Sequence, residues 1–347
     1  MSNENAFGPI NLATLGKLDD DGARALLERI RWPLGPICPH CGVLGEATRM
    51  ERHADAKSPI RSGLLNCRAC REPFSVTVGT IFEGSHIPLA KWLVGFLLMA
   101  SSKKGVSALQ LQRQLGLGSY RSAWHMAHRI RHAMQNDPSP EPLRGIVEVD
   151  ETYVGGKPRR YPGEAQKGKL PPGAKPRKRG RGSEGKVAVQ VLVQRDGGGA
   201  RARAVQKVDA TTLKPYIRAH VEKSAAIHSD EFQSYKGLAK DFDGGHETVA
   251  HAKGEYAREG VHSNTAESFN GLFKRAVMGS WHHISREHID RYLDEQVFRW
   301  SHRKTTDTER TLAALGRVDG VRLYYRKPKG QAAGGGAGLV AGQQPTA

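Results

Sequence analysis

The sequence predicts a multidomain chain of mixed α+β and α/β class: a small cysteine-organised module, an all-helical segment, then a mixed sheet flanked by helices. Three observations lead there. Four cysteines fall into two CxxC pairs, Cys38-Pro-His-Cys41 and Cys67-Arg-Ala-Cys70. Helical periodicity runs from Leu89 to Met134 with no strand pattern in it. From Gly145 onward, β-branched runs separated by turn residues precede a return to helical pattern. A length of 347 residues is enough for two or three domains and at least one sizeable core.

Bulk charge narrows the class of partner. Fifty-three Lys and Arg against 35 Asp and Glu give a formal net charge of +18. A surplus of this size favours a polyanion, through attraction to phosphates and release of their counterions. Membrane is the weaker choice of polyanion. The longest apolar run, Trp92 to Ala100, is too short to span a bilayer and is flanked by Lys91 and Lys103. The polar start MSNENAFG is no secretory signal. A soluble, cytoplasmic protein is expected, with nucleic acid as its leading partner and no membrane.

Residues 1–85 read as a helix followed by a metal-organised ribbon. Leu18 to Ile30 has Leu26, Leu27 and Ile30 on one face, and Pro33 and Gly35 stop it. Each CxxC makes a thiolate knuckle, so Cys38, Cys41, Cys67 and Cys70 can close a tetrahedron around a structural Zn²⁺. In a reducing compartment paired CxxC spacing points to zinc rather than disulfides, the alternative being four unmetallated thiols. His40, inside a knuckle, reads as a bystander. FSVTVGTIF (Phe74 to Phe82) predicts a strand pair.

Residues 86–135 read as helices. LAKWLVGFLLMASS is amphipathic or buried. A short helix from Ser107 to Leu115, a Gly-Leu-Gly turn and a longer helix from Ser119 then have helix-turn-helix spacing. Arg121, His125, His128, Arg129, Arg131 and His132 lie on the second helix, and Arg121, Arg129 and Arg131 are its candidate DNA contacts. A plain helical hairpin with solvated cations is the alternative.

NDPSPEP, from Asn136 to Pro142, is a linker. Beyond it, strands are predicted at Gly145–Val154, Lys186–Arg195 and Ala200–Val208, a helix at Thr211–Lys223, and a short strand, AAIHSD, ending at Asp230. Three meandering strands, a helix and a further strand open a ribonuclease-H-like fold by fold-level analogy, here assigned to residues 143–305. A loop at 155–186, with eleven Lys or Arg and two Glu, is expected to order on nucleic acid, a solvated linker being the alternative. Residues 328–347 read as a low-complexity, disordered tail.

The chemistry starts from VEVDETYVGGK, Val147 to Lys157. Strand-forming valines there carry Glu148, Asp150 and Glu151 among them. An unpaired carboxylate in a sheet interior costs several kcal/mol, so such an acid holds a basic side chain or a cation. Asp230 ends a later strand. On a helix capped near Asn264 or Thr265, Glu267 and Lys274 lie seven apart, on the same side two turns from each other. Asn264 is three residues before Glu267. Three carboxylates converging at one end of a sheet would repel one another unless cations occupy the site. Mg²⁺ takes such oxygen ligands, and two ions can serve phosphodiester chemistry. The bland readings are a salt-bridged strand residue for Asp150 (with Glu148 or Glu151 the real ligand), a helix cap for Asp230, and a solvent-facing Glu267.

With these motifs in order, the chain resembles a bacterial insertion-sequence transposase of the DDE, ribonuclease-H-like superfamily, in its zinc-ribbon-bearing, ISXO-type group. The resemblance runs along most of residues 20–305 and rests on RWPLGPICPHCG, CRACREPFSVTVGTIF, KKGVSALQLQRQLG, AWHMAHRIRHAM, VEVDETYVGG, HSDEFQSY, NTAESFNGLFKR and HIDRYLDEQVFRW. It implies that Asp150, Asp230 and Glu267 are catalytic and bind two Mg²⁺ or Mn²⁺ ions. Some relatives carry Asn as the third catalytic residue, which leaves Asn264 as the alternative to Glu267. It further implies that Lys274, with Arg275, contacts the transposon end, that the four cysteines bind zinc, and that the chain acts on terminal inverted repeats and target DNA as a homo-oligomer near the nucleoid. A non-catalytic DNA-binding regulator and a nuclease or junction resolvase are the rival functions. His282 and His283 receive no role.

Overall fold

The computed structural model describes residues 7–51, 61–135, 141–155, 186–249, 260–320 and 323–324. A short helix α1 (Leu12–Leu15) precedes α2 (Asp20–Arg31), which Asp19 caps by accepting from Gly22 N–H at 2.8 Å. Asp20 and Asp21 in its first turn and Arg29 and Arg31 in its last complement the helix dipole. The ribbon is a three-stranded antiparallel sheet, β1 (Ala47–Arg49), β2 (Leu65–Cys67) and β3 (Pro73–Phe74), in that order. The strand pair expected over Phe74–Phe82 is not formed; the ribbon strand there is Pro73–Phe74 alone, and Thr80 makes an isolated bridge. Thr80 Oγ1 folds back on Thr77 O, and Gly79, at φ +73°, turns the chain so that buried Val76 and Ile81 enter the helical core instead.

α3 (Leu89–Ser101), α4 (Ala108–Leu115) and α5 (Tyr120–Gln135) follow. Ser107 caps α4, and Gly116, in the left-handed region at φ +57°, ends it, as the turn requires. α2, the ribbon and α3 to α5 share one hydrophobic core with a helix from the far end of the chain, α9 (Asp307–Leu315), through Ala314, Leu315 and Val318. The closure is also made by backbone: Ile81 N–H bonds Val318 O at 3.3 Å, and Thr80 bridges Asp319.

The second body is a five-stranded mixed sheet of β4 (Ile146–Val154), β5 (Val187–Gln194), β6 (Ala200–Val205), β7 (Ala226–Asp230) and β8 (His246–Val249). Its spatial order is β6-β5-β4-β7-β8; the first three strands are antiparallel and β4, β7 and β8 are parallel. That is ribonuclease-H order. α6 (Ala210–His220) covers one face with Leu213 and Ile217 against Val147, Val149 and Leu192. α7 (Asn264–Ala276) and α8 (Ile289–Ser301) cover the other, with Phe269, Phe273 and Leu293 against Val189, Val191 and Val193. β8 and α9 had no counterpart in the sequence reading. The linker at 136–140, most of the 155–186 loop and the 328–347 tail lie outside the described residues.

A buried ion triad welds the two bodies. Arg131 of α5 donates to Glu295 of α8 at 2.6 Å and lies 3.9 Å from the Tyr292 ring centre; Arg299 approaches the same carboxylate at 3.1 Å. None of the described helices is long and apolar enough to cross a membrane.

Candidate active site

β4 and β7 run parallel with Val149 opposite Ser229, so Asp150 and Asp230, the next residue on each, stand side by side on one face. Neighbouring strands are about 4.8 Å apart. Asp230 ends β7, and Asp150, at the centre of β4, stands beside that carboxyl end, where open sheets bind ligands. Asp150 accepts from the Glu151 N–H and from Asn270 Nδ2, each at 2.7 Å. Asp230 accepts from the Phe232 N–H at 3.1 Å. These donors are neutral. Burial, then the negative charge of Asp230 and finally of Glu267, pushes Asp150 up to about 6 against the pull of its two hydrogen bonds. Glu151, on the opposite side of the strand by alternation, is pushed up to about 8 by burial and then by Asp150 and Asp230, and its Oε1 is buried without a hydrogen-bond partner.

Glu148, two residues before Asp150 on the same face, is treated differently. It is fully buried, and its carboxylate receives Arg195 Nε at 2.5 Å, Thr265 N–H at 2.7 Å, Thr265 Oγ1 at 2.9 Å and Ala266 N–H at 2.9 Å. α7 has no side-chain cap from Ser263; Glu148 reaches over from β4 and caps it, at the helix end that favours an anion. Arg195 also donates to the carbonyls of Gly260 and His262, at 2.7 Å each, and to His228 Nδ1 at 3.1 Å. Burial and the adjacent Arg195 charge lower the His228 pKa, keeping its ring a neutral acceptor. This knot fixes where α7 crosses the sheet.

α7 carries the rest. Glu267 is exposed one turn before Asn270, and Asn264, also exposed, opens the helix. Among the described residues only the four cysteines bring three or more metal-binding atoms within 4.8 Å of one another, so the three acids share one end of the sheet without closing to that spacing. Lys274 and Arg275 are exposed in the last turn of α7, and Arg121 is exposed near the start of α5. The expectation for Arg129 and Arg131 is corrected: both are buried. Arg129 donates to Glu83 O at 2.6 Å beneath Trp92, and the charge of Arg131 is taken by Glu295, which leaves neither a free face for a phosphate. His128 on the same helix is fully enclosed, and burial pushes it down to about 2. His282 and His283 are exposed beyond a π-helical turn, Val277–Trp281.

At the other end of the chain the four thiols form a possible zinc site. Cys38 and Cys70 Sγ are 3.7 Å apart, and Cys41 and Cys67 Sγ 3.6 Å. Tetrahedral bonds of about 2.3 Å put sulfurs roughly 3.8 Å apart, so the donor set and spacing fit zinc. The Cys70 N–H holds the Cys67 thiol down at about 7, toward the thiolate a metal needs. His40 is exposed and outside the quartet.

The two halves are matched separately by known families. Residues 18–72 match the transposase zinc-ribbon domain, and residues 142–301 match the ISXO2-like transposase domain. Both matches mark the chain as similar to the ISXO2-like transposases. Over 281 residues it is 28% identical to an uncharacterized protein in transposable element ISH50 of Halobacterium salinarum, covering 78% of this chain and 87% of that one. Among solved structures it is similar to the Mos1 transposase paired-end complex with left transposon end, at 13% identity and a TM-score of 0.27 over 64% of this chain and 74% of that one. A simian T-cell lymphotropic virus intasome in complex with PP2A regulatory subunit B56 gamma matches with the same identity and TM-score over 55% of this chain, which spans 63% of that chain's length. Scores this low leave the fold assignment with the strand order. The sequence reading missed Asn270, Arg195 and the capping role of Glu148. Only the Asn at the third position after Glu267, on the same helix face, gave a local signal.

Proposed function

We propose that this DNA transposase cuts the strand at each end of its insertion sequence and joins the freed 3′ hydroxyl to target DNA, with Asp150, Asp230 and Glu267 as ligands of two Mg²⁺ or Mn²⁺ ions. The observation that carries the proposal is the registered pair Asp150 and Asp230, with Asp150 pushed up to about 6, neutral hydrogen-bond donors against both carboxyls and the Glu267 helix anchored alongside. An all-oxygen donor set of this kind suits a hard divalent cation. When bound, a pair of such ions activates the attacking oxygen and stabilises the leaving one. Asp150 and Asp230 would hold the cations, Asn270 aims Asp150, and Glu148 with Arg195 sets the position of Glu267. Glu267 is favoured over Asn264 for its charge and its seven-residue spacing to Lys274. Lys274, Arg275 and Arg121 would contact phosphates, and the zinc ribbon with α4 and α5 would bind the terminal repeats. Two ends must be brought together, which calls for a multimer.

The deciding experiment is strand transfer with labelled end oligonucleotides in Mg²⁺. Joined product supports the transposase chemistry. Cut strands without joining would point to a nuclease or resolvase, and binding without either to a regulator.

A further inference from the structure

The turn between α3 and α4, Ser102 to Gly105, is pinned against the catalytic body. Arg299 Nη1 donates to Ser102 O at 3.0 Å, and Ser102 Oγ donates to Gly105 O at 3.0 Å. Gly105 is buried at φ +77°, and a Cβ there would stand 2.7 Å from Trp281 Cζ2. Glycine is required at this point for both reasons. The turn therefore has a fixed place, and the exposed side chains it carries, Lys103 and Lys104, start from a rigid base.

Lys103 lines an open cavity of about 530 Å³ together with Asn264, Glu267, Ser268 and Arg275 of α7. Among the described residues neither Lys103 nor Arg275 makes a hydrogen bond or ion pair. The cavity thus joins a metal-ligand candidate, two neutral donors and two available cations, one from the helical body and one from the catalytic body. A phosphodiester delivered to Glu267 arrives with charged phosphates on either side, and cations at this spacing meet them.

We infer that Lys103 is a positioning residue that holds a backbone phosphate of the DNA strand entering the active site, with Arg275 across from it. This rests on the reading of Asp150, Asp230 and Glu267 as the cutting site, and it extends the DNA-binding surface to a turn outside both the helix-turn-helix and the catalytic domain. The contact is to backbone and carries no base preference.

The test uses the full zinc-loaded chain and two readouts. The first is the salt dependence of binding to a short duplex of random sequence; the second is cutting of a supercoiled plasmid bearing the element in Mg²⁺. Lys103→Ala should lower the slope of log K against log salt by about 0.9, the value of one lost phosphate contact. It should also slow cutting about tenfold, as a misplaced strand does. Lys103→Arg should keep both near wild type. An unchanged slope, or an unchanged cutting rate where the wild type cuts, overturns the inference. If the wild type itself does not cut, the catalytic reading fails, and the slope still decides whether Lys103 holds a phosphate.

Discussion

Glu148 and Asp150 lie on one face of β4, a single residue between them, and their surroundings could hardly differ more. Around Glu148 the chain has gathered a guanidinium, two helix N–H groups and a hydroxyl, so the charge is buried and satisfied. Around Asp150 it has placed two neutral donors and two further acids, and the carboxyl is pushed up to about 6. The first region stores stability; the second holds repulsion that a cation would relieve. Two carboxylates on one strand thus divide into a fastener and a candidate ligand, and the difference lies in their partners.

The sharpest way to break this comparison is Asp150→Asn. Cutting should fall about a thousandfold or more, because a metal ligand is lost, as read by plasmid nicking. The stability effect should be opposite in sign. With its folded pKa raised to about 6, Asp150 contributes stability that is fully present below the unfolded carboxylate value and is lost as pH rises through about 6. The Asn variant should therefore melt higher than wild type at pH 8 and nearly level with it at pH 4 in calorimetry. A lower melting temperature at pH 8 would contradict the repulsion argument.

Glu148→Gln comes next. It leaves Arg195 largely buried without its counter-ion and should cost about 3 kcal/mol or more in urea unfolding. Loss of cutting without loss of stability would make Glu148 the metal ligand instead. Asn270→Ala should slow cutting about tenfold through misaiming of Asp150. Removing a donor to the ionised form also raises a carboxyl pKa, so Mg²⁺ affinity should begin to fall at a higher pH than in wild type when titrated downward. The smallest effect on cutting is expected from Asp294→Asn. Burial and then Asp290 push Asp294 to about 7, with Oδ2 buried and unpartnered. Its stability contribution, too, is lost as pH rises through that value, so the Asn variant should gain at pH 8 at least as much as Asp150→Asn does, yet cut normally. That outcome separates a merely raised acid from a catalytic one.

Much of the fold was legible because its signals are local. The valine-rich strands, the Ser107 cap, the left-handed Gly116 and the cysteine pairs each announce themselves within a few residues. So did Asp150 and Asp230, through the strands that carry them. What failed was pairing at long range. A cation on a helix looks the same whether it faces DNA or a buried glutamate, and Arg131 finds Glu295 far along the chain. The cap of α7 was read as Asn264 or Thr265 because the real one comes from β4. β8, with only HETV to offer, is too short to show a period, and Phe74–Phe82 kept strand composition while Gly79 bent it into the core.

The closure of α9 onto α3 and the ribbon has a consequence for how the molecule is made. Ala314, Leu315 and Val318 complete the core that α2 begins, so the first module stays unfinished until nearly the whole described chain has left the ribosome. A product truncated after the five-stranded sheet would carry a first module with an open, apolar flank. Synthesis through α9 is thereby a condition for closing the first core.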